Sequence, residues 1–339
     1  MASRMQQEAA QAPDVVQRQL ERNTAQMRAL GATLRDLSPR AVVTCARGSS
    51  DHAATYAKYL IETHAGVLTS SAAPSLSSVY DISTDLGGAV FLAISQSGKS
   101  PDLLASVERA KSSGACVIAL CNTPDSPLAR TAHHAIDLCA GAETSVAATK
   151  SYIASLSAIA HLVASWTEDT ELLDALTHAP QQLRDAWSLD WRPAVSVLRG
   201  AVNLFVIGRG YGLGVAQEAA LKLKETCGLH AEGFSAAEVQ HGPMALVGAG
   251  FPILAFSQHD ETRAGIEAVA SDFVARGARV LMAGGFAPGA TLLPVVNSHP
   301  VIEPLLMIQG FYRLAESLAA ARGLDPDLPP HLRKVTETV

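Results

Sequence analysis

The residues of this chain best suited to chemistry begin with a run of hydroxyls. Ser95-Gln96-Ser97-Gly98-Lys99-Ser100 follows the apolar stretch 91–94 and precedes Pro101. A strand end, a flexible glycine and a proline-started helix leave hydroxyls and unpaired amides together, which suits an anion. Taken alone, the hexapeptide fits a serine-rich turn that merely caps its helix. Ser49 and Ser50, at the end of the strand-like run 41–46, tip the reading toward phosphate, because parallel strands open their loops at one edge. Further along, Glu218, Lys222 and Glu225 recur at i, i+4 and i+7 of a helical stretch, 215–227, and therefore share one face. Such a face is commonly a solvated stripe, and periodicity does not decide whether Glu225 meets a cleft. His241 lies in a polar loop with Glu232 and Glu238, where a tuned acid or base and an ordinary surface imidazole are both open. Lys334, in a proline-rich tail, reads by itself as a solvated cation.

Two other features narrow the chemistry. Gly208-Arg209-Gly210-Tyr211-Gly212-Leu213-Gly214 has Leu213 where a dinucleotide fingerprint needs its third glycine, so the motif does not read as a nicotinamide site. His133-His134 has no metal-ligand spacing to another His or Cys, and no HExxH motif is present; no metal and no cofactor are expected.

The elements that must position these residues show a repeat. Arg47-Gly48 returns as Arg209-Gly210, and Ala93, Ser95 and Gln96 return as Ala255, Ser257 and Gln258, each 162 positions later. Only the first copy keeps the hydroxyl-rich loop. The second runs Ser257-Gln258-His259-Asp260-Glu261-Thr262, which leaves its polar residues free for other chemistry. Around each copy, apolar runs alternate with helical periodicity: strands at 41–46, 89–94, 116–121 and 135–138, then 203–207, 252–256 and 279–282. Helices fall at 51–62, 101–113, 145–166, 180–188 and 303–322, the pattern of a parallel α/β fold. The expected division is an N-terminal helical segment at 1–37, a first domain at 38–190 that binds the anion, a second at 191–322, and a tail at 323–339.

With 339 residues, 48% of them apolar, the chain can fill two medium cores. A net charge of −6 with interspersed signs disfavours nucleic acid and anionic membranes as partners. Five cysteines without a CxxC pair, the absence of an apolar leader and the lack of an uninterrupted apolar span point to reduced core thiols in a cytoplasmic protein.

In order along the chain, Met5-Gln-Gln-Glu, Ala12-Pro13, Ser95-Gln-Ser-Gly98, Glu143-Thr-Ser-Val-Ala-Ala-Thr-Lys150, Leu221-Lys-Leu-Lys-Glu225 and His241-Gly-Pro243 resemble the sugar isomerase (SIS) family. The likeness is to the isomerase half of the glucosamine-6-phosphate synthases and to the related glucosamine-6-phosphate deaminases. It implies two tandem SIS domains, each a five-stranded parallel sheet flanked by helices in a flavodoxin-like, Rossmann-like three-layer sandwich. It also implies a sugar phosphate held by Ser49, Ser50, Ser95, Gln96, Ser97 and Ser100, with Val146 and Glu143 at the sugar. Glu225 would move a proton between C1 and C2, and Lys222 would hold or polarise the open-chain sugar. His241, donated by the other subunit of a homodimer, would open the ring. Lys334 matches the tail lysine that forms a Schiff base in the synthases, although Pro329-Pro-His-Leu-Arg-Lys334-Val-Thr departs from their tail.

The synthases carry a glutaminase domain with a nucleophilic cysteine, whereas about 40 residues precede the first strand here. The expected reaction is therefore glucosamine 6-phosphate plus water to fructose 6-phosphate plus ammonia. Another phosphorylated amino sugar or ammonia-dependent synthesis is the nearby alternative. A sugar-phosphate-sensing regulator and a catalytically inert SIS module are the alternatives of a different class.

Overall fold

A computed structural model describes residues 2–334. The chain divides into two compact units, each built on one parallel five-stranded sheet. The first-sheet unit comprises Asp14–Glu143, Lys150–His178 and the tail from Arg333; the second-sheet unit comprises the segment up to Pro13, Thr144–Thr149 and Ala179–Leu332.

The strands in chain order are β1 (Ala41–Cys45), β2 (Thr69–Ser71), β3 (Ala89–Ser95), β4 (Cys116–Cys121), β5 (His134–Asp137), β6 (Asn203–Gly208), β7 (His230–Ser235), β8 (Pro252–Phe256), β9 (Arg279–Ala283) and β10 (Thr291–Leu293). The helices are α1 (Arg4–Ala9), α2 (Ala12–Leu37), α3 (Ser49–His64), α4 (Pro74–Ser78), α5 (Pro101–Ser112), α6 (Pro127–Thr131), α7 (Lys150–Thr167), α8 (Thr170–Ser188), α9 (Arg192–Leu198), α10 (Gly212–Cys227), α11 (Arg263–Ala275) and α12 (Glu303–Ala321).

The first sheet has the order β2-β1-β3-β4-β5, and the second, read from its other edge, β7-β6-β8-β9-β10. Strand for strand these are one topology, which is what the 162-residue repeat requires: β1, β3 and β4 fall on β6, β8 and β9. Pairing is parallel throughout, as in Val42 opposite Val90 and Phe205 opposite Ile253. Every residue of β3 and of β8 is buried, so both faces of each central strand are covered, and both strands read as continuous apolar runs. On one face of the first sheet, Phe91 and Val117 meet Leu103 and Val107 of α5; on the second sheet, Phe205 and Met282 meet Ile266 and Phe273 of α11. Each such side chain contributes about 1.5–3 kcal/mol on full burial.

Three departures from the sequence pattern have physical causes. The helix expected from residue 145 starts at Lys150, because the Glu143 carboxylate accepts the Ser151 amide in the first turn and fixes the start there. The helix expected to begin at Pro180 begins at Thr170: Leu172, Leu176, Ala179, Leu183 and Ala186 form one buried stripe that carries α8 through the proline. The polar loop around Glu232 begins as the edge strand β7, with Ala231 alone buried, so it carries little apolar signal.

Candidate functional site

In the first sheet the chain reverses direction between β1 and β3, and the loops leaving these two strands lie at the carboxyl edge on either side of that switch point. This is where parallel α/β sheets bind ligands. After β1, Gly48 adopts φ +56 and opens α3 directly at Ser49, so Ser49 and Ser50 form its first turn. After β3, the Ser95 hydroxyl accepts the Gly98 amide at 3.1 Å, and Ser97 Oγ accepts the Lys99 amide at 3.4 Å. Gly98 has φ +63, and a Cβ there would lie 2.4 Å from Ser126 Oγ, so no other residue fits without displacement. Ser100 stands at the N-cap of α5 without a side-chain capping bond. Ser49, Ser50, Gln96, Ser97 and Ser100 are half-buried and Ser95 is buried. Two helix N-termini and two serine-bearing loops thus belong to one edge. Arg47, noticed in the sequence only as a repeat marker, clamps this edge: its Nε and Nη2 donate to the buried Asp102 of α5 at 3.0 and 2.9 Å.

The equivalent switch point of the second sheet, between β6 and β8, is filled from within. The buried Gln258 amide donates to Arg209 O and to Asp260 Oδ2, each at 2.8 Å, with Thr262 Oγ1 3.0 Å away. Its Oε1 lies against Gly212, where a Cβ would come within 2.6 Å. His259 is spent as well, its amide and Nδ1 each 2.7 Å from the two oxygens of the buried Glu303. Gln258, His259, Asp260 and Thr262 of the second copy, expected to be free for other chemistry, are instead held in these bonds along the edge.

Glu143 and Lys334 meet in the first-sheet unit. Glu143 is fully buried; Oε1 accepts the Ser151 amide at 3.1 Å, and Oε2 accepts the Ser151 hydroxyl at 2.5 Å and Lys334 Nζ at 3.2 Å. Lys334 is three-quarters covered, unlike the solvated tail cation that its proline-rich context suggests.

In the second-sheet unit, α10 leaves the carboxyl end of β6 and brings its last turn to the opposite end of the sheet, before β7 begins. Glu218 and Lys222 are buried; the ammonium is 3.5 Å from Glu218 Oε1 and hydrogen-bonded to Glu225 Oε2. The Tyr312 hydroxyl of α12 donates to Glu218 at 3.4 Å. Glu225 keeps 18% exposure and lines a cleft of about 560 Å³ with Leu221, Lys224, Thr226, Leu324 and Leu328. The charged face is therefore not a solvated stripe. One ammonium lies between two carboxylates, and one of these reaches the cleft, the equipment of a general base.

His241 follows a short 3₁₀ turn (Glu238–Gln240) after β7. Its amide donates to Glu238 O at 2.9 Å, while its ring is exposed and makes no hydrogen bond among the described residues. Glu232 pairs with His230 at 3.5 Å rather than with His241. Val146 is half-buried in the Thr144–Thr149 segment of the second-sheet unit.

The thiols take no part in these clusters. All five cysteines are free; burial pushes Cys45 up to about 12 and Cys227 up to about 11. Among the described residues no group of three or more His, Cys, Asp or Glu could hold a metal ion, and no helix is long and apolar enough to cross a membrane.

Comparison with known proteins gives consistent results. The model of the SIS domain matches residues 37–165 and 197–283, one stretch on each sheet. The chain is 36% identical over 308 residues to the glutamine–fructose-6-phosphate aminotransferase (isomerizing) of Methanothermobacter thermautotrophicus, covering 85% of this chain and 50% of that protein. The same enzyme of Symbiobacterium thermophilum is 34% identical, with coverage of 89% and 52%. The chain thus spans about half the length of the curated relatives it matches. Among solved structures, a candidate phosphosugar isomerase from Silicibacter pomeroyi superposes with a TM-score of 0.92 at 43% identity, over 96% of this chain and 100% of that one. The C-terminal domain of glucosamine-fructose-6-phosphate aminotransferase from Francisella tularensis gives a TM-score of 0.87 at 26% identity, over 97% and 99%. With both sheets carrying the family's matched stretches, the chain belongs to the SIS domain family.

Proposed function

We propose that this chain is a phosphosugar isomerase acting on glucosamine 6-phosphate, which it converts with water to fructose 6-phosphate and ammonia. The observation that carries this reading is the Glu218–Lys222–Glu225 cluster, which brings a carboxylate to a cleft while burying its ammonium partner. Relatives named for isomerising fructose 6-phosphate support the substrate class. Direction follows from mass action: in dilute solution water far outnumbers ammonia as the partner of a C2 imine, so ammonia release dominates.

In this reading the hydroxyls of Ser50, Ser95, Ser97 and Ser100, with Ser49 and Gln96, hold the phosphate. That binding energy is remote from the reacting carbons and orients them. His241, supplied by a second copy of the chain in a homodimer, protonates the ring oxygen as the sugar opens. Glu225 takes the C2 proton and returns it to C1, while Lys222 holds the charge that develops on the C1 oxygen. The carbonyl moves from C1 to C2 as an imine; water adds to C2 and ammonia leaves. A positioned base of this kind contributes about 10²–10⁴-fold. Val146 contacts the sugar, and Glu143, whose buried carboxylate is taken by Ser151 and Lys334, acts from behind it by holding Lys334. Lys334, which the family resemblance matches to the synthases' Schiff-base lysine, takes no covalent part in this reading, and the reaction balances without one.

The test is a product assay over a panel of phosphorylated amino sugars. Ammonia and fructose 6-phosphate in equal amounts from glucosamine 6-phosphate would support the reading. No turnover of any amino-sugar phosphate would refute it and point to sugar-phosphate sensing or to an inert SIS module.

A further inference from the structure

Val146 sits in a stretch, Thr144–Thr149, that forms neither helix nor strand, and one distant side chain holds its start. Glu8, in the last turn of α1, is buried to 7% exposure. Its Oε1 accepts the Thr144 amide at 2.5 Å and the Thr144 hydroxyl at 3.0 Å, and its Oε2 accepts the Ser145 amide at 3.1 Å. One carboxylate thus ties down two successive amides across 136 residues of sequence.

The helix carrying Glu8 is itself fixed. Asp327 accepts the Arg4 amide at 2.7 Å and the Met5 amide at 2.9 Å, capping the first turn of α1, and it takes the Ser145 hydroxyl at 3.4 Å. Gln309 of α12 donates to Ala9 O at 3.1 Å at the other end, and Met5 and Ala9 are fully buried. All of these groups belong to the second-sheet unit. A carboxylate taking two buried amides in a fixed fork sets the local backbone direction, because charge-assisted bonds of this type are short and directional.

We propose that Glu8 is a positioning residue for the sugar: by clamping Thr144 and Ser145 it sets where Val146 lies and so how tightly a hexose phosphate is held. Glu8 touches no substrate in this scheme, and its effect passes through the loop. The inference rests on the proposed function for the identity of the ligand and on geometry for the clamp.

Glu8→Gln tests it, since the amide keeps the size but turns an NH₂ toward a backbone N–H. Two measurements are read together: backbone hydrogen exchange across the protein, and the affinity for fructose 6-phosphate. Exchange at Thr144 and Ser145 should accelerate relative to α7 and α10, and the Kd should rise about tenfold, the scale of losing one charge-assisted hydrogen bond. Thr144→Val, at an exposed position, removes only the hydroxyl contact and should shift both readings in the same direction by less; it serves if Glu8→Gln does not fold. Glu8→Asp, with its shorter reach, should fall between wild type and Glu8→Gln. Faster exchange with an unchanged Kd would make Glu8 a structural prop only, and unchanged exchange would remove the clamp; either overturns the inference alone. A wild type that binds no hexose phosphate would overturn the functional reading and this inference with it.

Discussion

Lys334 Nζ lies 3.2 Å from Glu143 Oε2, an ion pair between residues 191 positions apart that anchors the last described residue of the tail to the cap of α7. The carboxylate is fully buried and the ammonium partly exposed, so the two ends of the pair are not equivalent. Lys334→Met leaves Glu143 its Ser151 bonds and should cost about 1–3 kcal/mol, reduced by the lysine's partial exposure. Glu143→Ala also uncaps α7 and should cost more. Urea unfolding of the two variants checks the order, and equal or reversed losses would mean that the pair is incidental.

The serine loop depends on its glycine. Gly98→Ala places a Cβ against Ser126 at a positive φ and should destabilise by about 1–3 kcal/mol while raising the KM for a sugar phosphate. Ser97→Ala with Ser100→Ala should leave stability nearly unchanged and raise KM strongly, each lost charge-assisted bond being worth about 1.5–3 kcal/mol. Affinity for the unphosphorylated sugar, measured alongside, should not move. An unchanged KM in the double variant would take the loop out of the site.

The exposed ring of His241, without a hydrogen bond among the described residues, fits a residue used by a second copy of the chain. Inactive Glu225→Gln and inactive His241→Asn protomers, mixed under conditions shown to exchange subunits, should regain part of the activity, because a heterodimer rebuilds one intact pair. No regain would place His241 in its own subunit's chemistry or outside it.

The buried thiols predict a pH dependence of stability. Their native values, about 12 for Cys45 and about 11 for Cys227, lie above the ordinary value near 9, mainly because burial penalises the thiolate. Between roughly pH 9 and 11 the unfolded chain gives up thiol protons that the native chain keeps, so stability falls as pH rises through that window. Denaturant midpoints at pH 8 and 10.5 should show a smaller drop for Cys45→Ala with Cys227→Ala than for wild type. An equal drop would assign the effect to other groups.

Central strands were legible in the sequence because β3, β4 and β8 are continuous apolar runs, and the 162-residue repeat carried their parallel order into both sheets. Of the edge strands only β5 was legible, at 135–138: β2 and β10 have three residues each, and β7 is mostly polar, so neither length nor alternation marks those three. At the site, the serine loop could be read because strand, glycine and proline-started helix are local. Helix α12, remote in sequence, packs on α10 and its Tyr312 bonds Glu218, so periodicity alone could not decide whether that face is solvated or meets a cleft. Glu8, Asp327 and the Gln258 plug went unread for the same reason: each acts through a tertiary partner. Only the motif Met5-Gln-Gln-Glu8 offered a signal, and it named a family rather than a role.

The most direct test is the turnover of Glu225→Gln with glucosamine 6-phosphate. The amide keeps the side chain's shape beside Lys222 but cannot take the C2 proton, so kcat should fall by about 10²-fold or more while ligand affinity changes little. In deuterated water the wild type should place deuterium at C1 of fructose 6-phosphate. Ammonia release by Glu225→Gln at the wild-type rate would show that another group moves the proton, and would contradict the assignment of Glu225 as the base.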